Sequence, residues 1–304
     1  LWIDNYYNEV SAYGSTLIVN NLFSIAGGLF ESPSADFYDV FFVDPRGLSK
    51  LKLTGDITVS GDWMSGSFAN DILQAGTHTV TFDGSNGGGS IHGGATQEIL
   101  AEDTRFYNLT VIGGSTTTLK NSNLIVQNNL TVNSASTLAI ASTASLNPTV
   151  SVTGVSDING TLTISNGTYD ANGAFDATNG IVTFTGSGNL NLGSTVTSLG
   201  TFNKGTSKVT YDGSSPQNIY NANYYDLSIN NSSGTNLIAS TGSANLDLSQ
   251  GIINNNTHTL SLVTVTNASN SSHTHNGRIF KHFDSTSPFT YPVGDWTSWY
   301  FEEI

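Results

Sequence analysis

The sequence predicts an all-β protein, a right-handed parallel β-helix (β-solenoid) of short strands joined by loops of variable length. Three observations carry that prediction. An apolar–polar–apolar triplet recurs along the chain, bounded by Gly, Asn, Asp or Ser. No window places apolar residues at i, i+3, i+4 and i+7 between caps, so helices are not expected. A longer phrase occurs twice: Thr79-Val80-Thr81-Phe82-Asp83-Gly84-Ser85, Gln97-Glu98-Ile99 and Phe106-Tyr107-Asn108-Leu109-Thr110-Val111 return as Lys208-Val209-Thr210-Tyr211-Asp212-Gly213-Ser214, Gln217-Asn218-Ile219 and Tyr224-Tyr225-Asp226-Leu227-Ser228-Ile229. Its flanks hold while the loop inside it shortens, as expected when strand, turn, strand, loop and strand make one turn of a coil.

Taken in order, the triplets begin at Leu17-Ile18-Val19, followed by Asn20-Asn21-Leu22, and that wording returns at Leu124-Ile125-Val126-Gln127-Asn128-Asn129-Leu130. Between and beyond them come Leu51-Lys52-Leu53, Ile57-Thr58-Val59, Leu130-Thr131-Val132, Leu138-Ala139-Ile140, Val150-Ser151-Val152, Leu162-Thr163-Ile164, Val182-Thr183-Phe184, Leu246-Asp247-Leu248 and Leu260-Ser261-Leu262. Strands this short do not make an independent hairpin sheet. They suit a coil in which each pairs with its counterpart one turn later, two side chains pointing in and the middle one out. Gly, Asn and Asp fit the left-handed corners, and Asn can ladder its amides from coil to coil. At roughly 20 to 25 residues per coil and about 4.8 Å of rise, the chain makes about 12 to 15 coils.

The expected organisation is a solenoid over 1–270, with irregular or capping coils around 1–50. A C-terminal transition segment over 271–304 then leads into a further domain, the chain being a piece of a longer one. In that last segment Pro292 suggests an edge or an exit from the stack. The aromatic termini, Trp2, Tyr6 and Tyr7 at one end and Trp296, Trp299, Tyr300 and Phe301 at the other, are where the open ends are expected to meet caps or neighbours.

Composition narrows the function. A net charge of −14 with only nine Lys and Arg argues against nucleic acid and against an anionic membrane surface. No apolar run reaches the roughly 20 residues that span a bilayer. With no cysteine, disulfides and thiolate metal sites are excluded. β-Branched and aromatic residues at regular spacing separate the chain from disordered Gly/Ser-rich sequences.

No motif announces a reaction. The densest acids are Glu98, Glu102 and Asp103 with Arg105 beside them, read as a solvated loop face in preference to a calcium or sugar site. Asp170 and Asp176 fall within one turn's length and are read as turn residues; a glycoside hydrolase needs two carboxylates across a groove. Asp83-Gly84 and Asp212-Gly213 are turn dipeptides, and Gln97 and Gln217 are expected to bond backbone at a corner. His273, His275 and His282 make a metal site conceivable but lack Cys and carboxylate partners. The Asn-x-Ser/Thr triplets at Asn108, Asn129, Asn166 and Asn267 are what this composition produces by chance, and Gly84–Gly89 lacks the Lys and helix of a phosphate loop. No catalytic residue, metal ligand or cofactor is assigned.

The doubled phrase resembles the repeats of very large secreted surface proteins of Bacteroidota, adhesin-like cargo of the type IX secretion system. Phe289-x-Tyr291-Pro292-Val293-Gly294-Asp295 is similar to the phenylalanine–proline–valine–glycine element that often follows such repeats. The likeness covers most of residues 50–295; the C-terminal sorting domain typical of such cargo is missing. It implies an extracellular, cell-surface location and a role in adhesion or assembly. The expectation is a non-enzymatic structural or adhesive segment whose partners are copies of itself, other subunits, glycans or another cell surface. The alternatives are a polysaccharide-binding or -cleaving parallel β-helix and a trimeric tail-fibre-like protein.

Overall fold

The computed structural model describes residues 1–12, 16–42, 49–65, 72–85, 96–101, 104–120, 123–141, 146–282, 289, 291–294 and 299–300. No helix occurs among them, and the parallel strands stack as a β-solenoid of about 12 turns. Each regular turn contributes one strand to each of three faces. The first face stacks Ile57–Val59, Thr79–Phe82, Asn108–Val111, Leu130–Val132 and Ser156–Ile158 in register. The second stacks Trp63–Ser65, Gln97–Ala101, Thr116–Lys120, Thr137–Ala141, Thr161–Ile164 and Ile181–Phe184. The third runs through Leu124–Val126, Thr149–Val152, Thr168–Ala171, Asn189–Leu192 and Lys208–Tyr211.

The triplets orient as their period of two requires. In Leu130-Thr131-Val132 and Leu124-Ile125-Val126 the outer residues are buried and the middle one is not. Inward positions form columns along the axis: Ile57, Val80, Leu109 and Leu130 follow one another on the first face, each essentially without exposed surface. Burial of a side chain of this size stabilises by about 1.5–3 kcal/mol, and because every coil repeats it, stability grows with the stack. Some corners demand glycine. At Gly251 φ is 91°, and a Cβ would lie 1.8 Å from the carbonyl oxygen of Asn231 one coil back.

The doubled phrase closes one turn, as its wording predicts. Thr79–Phe82 pairs directly with Asn108–Val111, and Lys208–Tyr211 with the second half of Asn223–Asn230. The two copies nevertheless lie on different faces: the first starts on face one, the second on face three. Loop lengths between them rotate the phrase around the tube. The strands are also less uniform than the triplets suggest. Leu17–Ser32 spans 16 residues, and Asn223–Asn230, Thr241–Gln250 and Thr259–Thr266 each bend across two faces without a break.

The change of texture at residue 271 does not interrupt pairing. Thr274–His275 and Arg278–Lys281 add to the ladders in parallel, and Val293 pairs with Thr274. Among the described strands the direction reverses where Val293–Gly294 meets Trp299–Tyr300 antiparallel, and an isolated antiparallel bridge joins Ser269 and Ser272. At the other end Trp2–Ser11 pairs with Leu17–Ser32 with register shifts. The side chains of Trp2, Tyr6, Tyr7, Trp299 and Tyr300, and all of Trp296 and Phe301, lie outside the described residues.

Candidate functional site

The polar residues singled out from the sequence resolve into structural duties. Gln97 and Gln217 are buried, and each clips a corner across three coils. Gln97 Nε2 donates to the carbonyls of Val59 (2.7 Å) and Gly61 (2.6 Å) in the coil before, and its Oε1 accepts from Thr117 Oγ1 (2.9 Å) in the coil after. Gln217 Nε2 donates to Leu192 and Ser194 (both 2.7 Å), while its Oε1 accepts from Gly213 N (2.7 Å) and Asn231 Nδ2 (2.9 Å). The expected backbone bonds are present at both sites. Asp83 closes its turn by accepting from Ser85 N and Oγ (both 3.1 Å), with Gly84 at φ 55°. At Asp212-Gly213 it is the glutamine that completes the turn, and burial, then the charge of Asp170, pushes the Asp212 carboxyl up.

The acids do not gather. Glu98 is buried and ion-pairs with Lys120; Arg105 lies on the third face; Glu102 and Asp103 lie outside the described residues. Asp170 is on the third face, accepting from Ser151 Oγ and Asn172 Nδ2 at 3.1 Å each. Asp176 is on the first face, accepting from Thr178 N (2.9 Å) and Oγ1 (2.6 Å). They share a coil but face different directions. Asn108, Asn129 and Asn166 hold neighbouring coils: Asn128 Nδ2 donates to Asn108 Oδ1 (2.9 Å), Val155 N to Asn129 Oδ1 (2.9 Å) and Ser187 N to Asn166 Oδ1 (3.0 Å). Residues 86–89 of the glycine-rich stretch are outside the described residues.

His273 and His275 are both buried, with ring centroids 6.4 Å apart, and His282 is exposed on the second face. No group of three metal-ligating side chains occurs among the described residues. Burial, and then the neighbouring His273, hold His275 below the ordinary histidine value of 6.5. A base whose pKa is depressed by folding keeps its full contribution above its unfolded pKa and loses it as the pH falls. The last coils are therefore expected to lose thermal stability as the pH is taken from about 7.5 to about 5. The difference between the native chain and His275→Gln across that range isolates the effect, and identical slopes would exclude it.

The surface is concave in the late coils. A groove of 620 Å³ opens on the second face, with Asn223, Gly242 and Ser261 along its floor, Lys204 at one end and His282 at the other. The three floor residues are register partners on consecutive coils, and the next partner in the column is Phe280. Lys204 Nζ donates to Asn223 Oδ1 (3.0 Å) and to the Tyr224 carbonyl (3.2 Å). No Asp or Glu lines the groove among the described residues. A second pocket, 420 Å³, lies beside the column Asn236, Asn254 and His275. Of the groove's residues, sequence reasoning singled out only His282 as a candidate ligand, and Ser261 and Leu262 only as part of a strand triplet. The signal that could have pointed there is a glycine inside a strand, Thr241-Gly242-Ser243, a position where something else can approach the backbone.

No family model, no curated protein and no solved structure matches this chain.

Proposed function

We propose that the chain is a non-enzymatic structural and adhesive segment of a large extracellular bacterial surface protein, a rigid β-solenoid stalk or assembly unit. The observation that carries this reading is the stack itself: three overlapping parallel ladders together cover the chain from Trp2–Ser11 to Val293. In such a stack, pulling on the ends loads many interstrand bonds together, and a compact coil offers proteases few loops. The resemblance of the doubled phrase to repeats of Bacteroidota surface proteins supports the location and the type IX route. The polar residues support the absence of chemistry, since Gln97, Gln217, Asp83, Asp176 and Glu98 are each engaged with their own coil or a neighbouring one.

Sedimentation velocity across concentration, with electron microscopy of the native particle, tests the assembly role. End-to-end or bundled species are expected. A monodisperse monomer at every concentration would count against an assembly unit, and release of reducing sugar from polysaccharides would overturn the non-enzymatic reading.

A further inference from the structure

We infer that the groove on the late second face binds an acidic sugar unit of a glycan chain. The inference gives the adhesive reading above a target, and rests on it for that role alone. It starts from Gly242. Most glycines of this stack are forced by the neighbouring coil: a Cβ on Gly173 would lie 2.0 Å from the Gly154 carbonyl oxygen, and one on Gly180 would lie 2.1 Å from that of Ile158. Gly242 is not forced. Its φ lies outside the left-handed region, and a Cβ there would meet its nearest atom, Asn223 Oδ1, at 3.6 Å, an ordinary contact. Neither the backbone nor the packing asks for glycine, and a strand interior disfavours it. What the missing side chain does is keep the groove floor open between Asn223 and Ser261.

The walls define the occupant. The Asn223 amide and the Ser240 and Ser261 hydroxyls, one from each of three consecutive coils, offer donors and acceptors for the hydroxyls of a sugar, with Ala222, Ala244 and Val263 between them. Phe280, 59% exposed and the register partner of Ser261, offers a ring at the end of the floor column for the apolar face of a pyranose. Charge completes the selection. The chain carries a net −14 and only nine basic residues, yet one of these, Lys204, lines the groove, and Arg278 lies in the strand that pairs with its last floor strand. Among the described residues no acid lines the groove, and Lys204 is anchored there by the neutral oxygens of Asn223 and Tyr224. An anchored ammonium with no carboxylate beside it among the described residues favours an anionic group, here a carboxylate or sulfate on the sugar.

The test is calorimetric titration of the whole chain with tetragalacturonate, its methyl ester and a sulfated galactan tetrasaccharide. At least one anionic probe is expected to bind, more weakly as salt rises, with the methyl ester about tenfold weaker or worse. The better anionic probe identifies the acid. Gly242→Tyr fills the groove and should abolish binding. Lys204→Met, on the partly exposed rim, should reduce the acidic probe to the level of the ester. Binding by neither anion, equal binding of acid and ester, or native affinity in a folded Gly242→Tyr chain would each overturn the site. A chain that assembles but binds no glycan loses the site and keeps the structural reading. One that binds as a permanent monomer keeps the site and loses the assembly role.

Discussion

Replacing Trp63 with alanine is expected to destabilise the early coils by about 3–5 kcal/mol. The indole is fully buried inside the tube, where the three faces converge on it. Its ring centroid lies 5.6 Å from that of Phe42 in the coil before, 5.2 Å from Phe106 and 6.4 Å from Phe82. Along its own column it stands between Val40 and Ile99. The parallel ladders above and below are held by backbone bonds and limit how far the walls can close on the void, so most of the cavity cost remains. In a stack stabilised by nearest-neighbour interfaces the loss is local. Hydrogen exchange should therefore show faster opening in the strands Lys50–Leu53, Ile57–Val59 and Thr79–Phe82, while Asn189–Leu192 and Lys208–Tyr211 keep their protection. Uniform loss along the chain, or a change below about 1 kcal/mol, would contradict this account of the core.

Gln217→Ala is expected to cost about 3 kcal/mol or more, because one side chain serves four backbone or side-chain partners. The two carbonyls of Leu192 and Ser194 lose their amide donor, and Gly213 N and Asn231 Nδ2 lose an acceptor. The corner is buried, so water does not freely replace these bonds, and each unsatisfied group costs about 1–3 kcal/mol. Gln217→Glu separates bonding from volume. It keeps the size and the acceptor, but an ionised carboxylate cannot donate to the two carbonyls, so it should be nearly as destabilised as alanine at neutral pH and recover partly on acidification. A stable Gln217→Glu chain at neutral pH would show that the corner is held by packing instead. The same substitution at Gln97 should act on the early coils, since its amide makes the same pair of carbonyl bonds to Val59 and Gly61.

The division between what could be read in advance and what could not follows the range of the interactions. Each apolar–polar–apolar triplet, such as Leu130-Thr131-Val132, states by its period of two which side chains point inward, and the Gly, Asn and Asp beside it state where the chain turns. These are properties of a few consecutive residues, and the sequence by itself determined them: an all-β parallel stack, no helix, one turn per doubled phrase, and glutamines committed to corners. Which face a strand joins depends instead on the summed length of every loop before it. That sum is not a local property, and so the two copies of the phrase, alike in wording, came to lie on different faces. The groove belongs to the same class. Asn223, Gly242 and Ser261 are 19 residues apart in each step, and the one local mark is a lone strand glycine, which names no partner. Only the stacking of coils at about 4.8 Å brings them into one row, with Lys204 at its end and Gly242 leaving the space between.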